Sequence, residues 1–94
     1  MDVYRSVSLA EYQDILKNGF GSGGSSYTTG KLFALNVADA KFYNSQFGNS
    51  LIVKARIPAG TLIEQIFGVD GLTSIYNVPI SALDKVRYLT VFKY

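Results

Sequence analysis

Residues 3–7 (Val-Tyr-Arg-Ser-Val) alternate in type with the two-residue period of a strand. The period then lengthens. Leu9, Tyr12, Ile15 and Leu16 fall on one stripe of a helix that Ser8 opens, with Glu11 three residues on as a capping box, and that Gly19 stops. This predicts a helix over 9–18. A second helix, over 37–47, starts at Asn36 with Asp39 as its capping acid, and Gly48-Asn49 ends it. Val37, Ala40, Tyr43 and Phe47 are spaced to form its buried face.

Strands are expected at 31–35 and 51–57, and again at 73–78 and 86–94, while 61–67 reads as either a strand or one helical turn. In the 51–57 run, Lys54 and Arg56 share one face while Val53 and Ala55 share the other. Pro58-Ala59-Gly60 and Gly68-Val69-Asp70-Gly71 are turn chemistry, and Ser81 with Asp84 marks one capped turn. The order is β-α-loop-β-α-β-(β)-β-turn-β. Most connections are too short for parallel crossovers, so an α+β fold with antiparallel sheets and two packed helices follows. Residues 1–94 read as one domain.

Composition supports a packed core. The chain is 48% hydrophobic, and its seven Tyr and six Phe each bury a large apolar area. The apolar runs are too short to span a bilayer. Met1-Asp2 leads straight into a strand-like segment, not into a signal or transit peptide. With no Cys and no His, disulfides, thiolate catalysis, Ser-His-Asp triads and His/Cys zinc sites fall away by inventory. The net charge of +2 comes from scattered cations and forms no polybasic tail.

Arg5 is the most informative cation. Its guanidinium has the planar fork that takes a phosphate, and it is equally suited to a structural ion pair on an edge strand. The two readings stand level. Residues 19–30 form a Gly/Ser/Thr-rich loop, long for so small a domain, within which Tyr27 is the residue to watch. Gly30-Lys31 is followed by Leu32, so the loop is not a P-loop. Nor does it follow a strand, as a dinucleotide-binding turn requires. Asp2, Glu11, Asp14, Asp39 and Asp84 are read as capping or solvated helix charges, which leaves Glu64 and Asp70. Asp70 lies in a Gly-flanked turn, a position from which side chains reach clefts but also an ordinary turn pair.

Three segments together carry a family resemblance. Tyr4-Arg5-Ser6, followed by a helix and Gly19, is similar to the opening of small bacterial ADP-ribosyltransferase toxin domains of polymorphic and type VI (Rhs-type) effectors. Gly30-Lys31-Leu32-Phe33-Ala34, with Asp39-Ala40 and Tyr43, resembles their second strand and following helix. Asp70-Gly71-Leu72, then Tyr76-Asn77-Val78-Pro79 and Leu83, resembles their closing strands.

The resemblance implies split antiparallel β-sheets enclosing a cleft, and NAD as co-substrate with no metal. The reaction would be mono-ADP-ribosyl transfer to a protein in a target bacterium, with a translation factor as the target the resemblance suggests. It also implies a cognate immunity protein and a secreted effector that acts in the target-cell cytoplasm. Carried over by position, Arg5 anchors the nucleotide with Ser6, and Phe33 is the stacking aromatic with Tyr43 behind it. Tyr27 belongs to a loop that closes over NAD. Many members carry a Glu on the penultimate strand, where this chain has Thr73, Ser74 and Ile75, so Asp70 takes the catalytic carboxylate role. Two alternatives remain from the residues. One is an RNase toxin using Lys54, Arg56, Lys41 or tyrosines, which the lack of His disfavours. The other is a catalytically degenerate module that keeps the fold and serves as a binding surface.

Overall fold

Local sequence chemistry sets the two helices. In the computed structural model, which describes residues 1–20, 31–61, 63–67 and 74–93, the elements are β1 (Asp2–Val7), α1 (Leu9–Asn18), β2 (Lys31–Ala34), α2 (Val37–Phe47), β3 (Leu51–Arg56), β4 (Glu64–Phe67), β5 (Ser74–Val78) and β6 (Arg87–Lys93). A 3₁₀ segment, Ile80–Lys85, precedes β6. Ser8 caps α1, its Oγ accepting the Glu11 N–H at 3.1 Å, and Gly19 closes it at φ 76° with its N–H on the Ile15 carbonyl. Asn36 does the same for α2, its side chain accepting from the Asp39 N–H at 2.9 Å. The end of α2 is set by Gly48 at φ 69°, a left-handed conformation that side chains resist.

Every strand pairing is antiparallel, in a six-stranded sheet ordered β4-β5-β2-β1-β3-β6. β1 and β3 pair along their whole length, from Asp2↔Arg56 to Val7↔Leu51. β2 pairs with β5 along its own four residues, from Lys31↔Val78 to Ala34↔Ile75. Between β1 and β2, however, the register holds at one pair alone, Tyr4↔Ala34. The expected α+β fold with antiparallel strands and two helices is present, but the split into separate sheets that the resemblance implies is not. The strands form one sheet, and a seam divides it into β4-β5-β2 and β1-β3-β6.

Strand alternation distributes the sheet between two layers. Val3 and Val7 of β1 meet Ala55, Val53 and Leu51 of β3 beneath α1 and the 3₁₀ segment. This main core includes Phe33, Val78, Ile15, Phe20, Leu83 and Val86. Burying each such large side chain contributes about 1.5–3 kcal/mol. On the opposite face α2 sets Ala40 against Ala34 and Ile52, with Tyr4, Val37 and Phe92 at the margin.

Two expected helix stripes are narrower than the sequence suggests. In α1, Ile15 is buried and Tyr12 packs on the core, but Leu9 and Leu16 are exposed. In α2, Phe47 is exposed instead of buried, with its ring stacked on Tyr43 at 5.9 Å. Short helices touch a twisted sheet over about two turns, so apolar residues near their ends overhang it. The inward position that sequence reading passed over is Asn44, which is buried.

Candidate functional site

The seam is where the sequence-predicted anchor lies. Arg5 sits on the central strand β1 between Val3 and Val7, so alternation drives its long side chain into the main core layer. It is 8% exposed. A guanidinium so placed must be fully bonded, since an uncompensated buried charge is costly. Its Nε donates to Glu11 Oε2 at 2.6 Å and its Nη2 to Glu11 Oε1 at 3.1 Å, a two-pronged clasp on α1. Its Nη1 donates to the Leu32 carbonyl at 2.9 Å. Leu32 belongs to β2, so the Arg5 side chain crosses the seam and bonds a strand that the β1 backbone meets at a single pair.

A second buried cation joins the cluster. Lys31, at the start of β2, is 4% exposed and brings its Nζ to 3.5 Å from Glu11 Oε2. The same ammonium lies 5.9 Å from the centre of the Phe20 ring, a cation–π distance. Phe20 in turn packs at 5.6 Å on Phe33. Among the described residues, Glu11 is thus the carboxylate that links α1, β1 and β2. Burial pushes its carboxyl up, yet the hydrogen bonds and charge of Arg5, with Lys31, outweigh this and hold it below its ordinary value.

Glu11 and Lys31 are the residues that sequence reasoning missed. The sequence reads Glu11 as a helix-cap acid. Its backbone N–H does serve there, but its side chain turns instead to Arg5. The available signal was Arg5 itself: an arginine on the inward side of an amphipathic strand needs an acid from the element packed above it. For Lys31 no local pattern marks burial.

The other predicted positions divide by face. Phe33 shares the Arg5 layer but is 0% exposed, its ring covered within the core by Phe20. Ser6 is Arg5's neighbour in sequence, and alternation sends it to the opposite face, where its Oγ accepts from Asn49 Nδ2 at 3.0 Å. Tyr43 lies on α2, also across the sheet from Arg5, between Phe42 and Phe47. The structure therefore brings Phe33 to the side of Arg5 and leaves Ser6 and Tyr43 behind the sheet. Asp70 and Tyr27 lie outside the described residues. Glu64, the other carboxylate left by the sequence, pairs with Asn77, which places it in the alternation opposite to that of Tyr76 and Phe33.

Two further polar features lie apart from this cluster. Tyr12 and Tyr88 meet hydroxyl to hydroxyl at 3.3 Å, and this contact, with burial, pushes Tyr88 up to about 12. The basic strand face that an RNase would use carries an acid. Asp2 accepts from Arg56 Nε at 2.9 Å and lies 3.6 Å from Lys54 Nζ.

What the cluster does chemically follows from its geometry. A guanidinium fixed at three N–H groups holds its plane, and a low-dielectric surrounding strengthens its pull on any anion that reaches it. Comparison with protein-family models, curated proteins and solved structures finds no match for this chain.

Proposed function

We propose that the chain is the catalytic core of an ADP-ribosyltransferase toxin, which transfers ADP-ribose from NAD to a protein of a target bacterium. One observation carries the reading. The arginine that the family resemblance names as nucleotide anchor sits on the central strand β1, which is joined to β2 by a single residue pair. A seam of this kind is where a cleft between two half-sheets would open, and the Arg5 fork is the group suited to a pyrophosphate there. Asp70 is proposed as the carboxylate that stabilises positive charge as the nicotinamide–ribose bond breaks. The domain would act in the target-cell cytoplasm as part of a secreted effector, held in check in the producing cell by an immunity protein.

Incubating the protein with adenylate-labelled NAD and a bacterial lysate tests the proposal. One labelled protein band is the expected result, lost in Arg5→Lys, which keeps the charge but not the fork. Asp70→Asn should bind NAD as before and label at least about a hundredfold more slowly, the scale for removing one preorganised electrostatic group. Absence of label with any lysate, or degradation of RNA in its place, would overturn the reading.

One observation favours a second reading, that of a binding module without catalysis. Phe33 has no exposed surface and the Arg5 fork is already clasped by Glu11. On that reading no label transfers, and NAD leaves the melting temperature unchanged.

A further inference from the structure

The Arg5–Glu11 contact has the form of a ligand contact made within the chain. Two parallel N–H···O bonds from one guanidinium to two oxygens of one acid are how arginine takes a phosphate. Lys31 approaches one of those same two oxygens, as a second cation does around a pyrophosphate. Glu11 is delivered from α1, an element whose only fully buried residue is Ile15 and whose Leu9 and Leu16 face solvent. The acid is thus carried on a lightly anchored helix, whereas both cations are rooted in the sheet.

We infer that Glu11 is a built-in stand-in for a ligand phosphate, and that a phosphate or pyrophosphate group binds Arg5 and Lys31 by displacing it. The inference rests on the proposed function only in taking the Arg5 fork as an anion-binding group. The site keeps its two cations neutralised while empty and exchanges one anion for another when filled. Exchange avoids exposing a bare buried charge at any stage, since the outgoing carboxylate reaches water as the incoming oxygens take its place. Release of Glu11 also removes a tie between α1 and the sheet, so occupancy loosens that helix.

The sign of one substitution separates this from a purely structural ion pair. Inorganic pyrophosphate is titrated calorimetrically at low ionic strength into the wild type, Glu11→Gln and Lys31→Met. Removing the competing carboxylate should tighten pyrophosphate by about tenfold, the scale of one charge-assisted hydrogen bond. Lys31→Met should weaken it by a similar factor. In the wild type, where folding is not in question, saturating pyrophosphate should move the Glu11 side-chain carboxyl ¹³C resonance to that of a solvated glutamate and shift the Arg5 Nε–H resonance. Amide exchange in α1 should quicken.

Equal or weaker binding by Glu11→Gln, or a Glu11 resonance unmoved at saturation, overturns the inference, as does absence of binding by all three proteins. Running NAD beside pyrophosphate and inorganic phosphate keeps the two proposals apart. Displacement of Glu11 by pyrophosphate without protein labelling would uphold the anion site and remove the transferase. Labelling with Glu11 still in its clasp on Arg5 would do the reverse.

Discussion

Removing the charge of Glu11 while keeping its shape should be the most damaging single-atom exchange on the inner face of α1. Glu11→Gln leaves Arg5 and Lys31, 8% and 4% exposed, facing a neutral amide. Truncating one partner of a buried pair costs about 3–5 kcal/mol, because the survivor's charge stays buried without that counter-charge. A chain of 94 residues has roughly 5–14 kcal/mol in hand, so the variant folds except at the low end of that range. At about 4–8 °C per kcal/mol, even the lower cost of about 3 kcal/mol lowers Tm by roughly 12–24 °C. Arg5→Met should cost a similar amount, since it strips Glu11 and the Leu32 carbonyl together.

The double variant should then fall well short of the sum, with a coupling of about 2 kcal/mol or more in urea denaturation at pH 7. The pH dependence has a fixed sign. The folded Glu11 carboxyl titrates below its ordinary value of 4.5, so its stabilisation is complete above that pH and is lost as pH falls through the depressed folded value. The gap between wild type and Glu11→Gln should hold from pH 7 to about pH 5 and close below 4.5. A coupling under about 0.5 kcal/mol, the value of an exposed pair, would refute the account of this cluster as buried and interdependent.

Phe33→Ala should destabilise by about 3–5 kcal/mol, because its ring fills the core against Phe20 and leaves a cavity the sheet cannot close. Chemical denaturation measures this, and a loss below about 1 kcal/mol would show the ring to be dispensable. Asn44→Leu should be neutral or raise stability by about 1 kcal/mol, since its buried carboxamide has no hydrogen-bond partner among the described residues. A fall in Tm of more than a few degrees would show that the amide is satisfied in solution.

The helices were legible to the residue because their ends are written in side chains that act locally. Ser8, Gly19, Asn36 and Gly48 each satisfy or stop backbone groups within one turn. Strand positions were legible for a similar reason, and the alternation of β1 already placed Val3, Arg5 and Val7 together. What alternation does not specify is the neighbour. That β1 lies between β2 and β3, and meets β2 at one pair, depends on pairings made across 30 residues or more, from Tyr4↔Ala34 upward. Alternation therefore puts Arg5 on the inward face of β1 but does not name the partner its side chain takes there. Glu11 looks from the sequence like a cap acid, and only the packing of α1 over β1 turns its carboxylate inward. Leu16 and Phe47 were misplaced for the converse reason, since a helical stripe tells which side is apolar but not where the sheet beneath it ends.

The seam has a consequence for how the molecule comes apart. The half-sheet on one side takes its strands from residues 2–7, 51–56 and 87–93, and the other from 31–34, 64–67 and 74–78. The chain passes back and forth between the two, so no single cut delivers one half in one fragment and the other half in the second. A proteolytic nick severs a half-sheet and cannot free it. The halves are laced together by covalent threading where the backbone ladder barely joins them. Threaded in this way, they must melt as one cooperative unit.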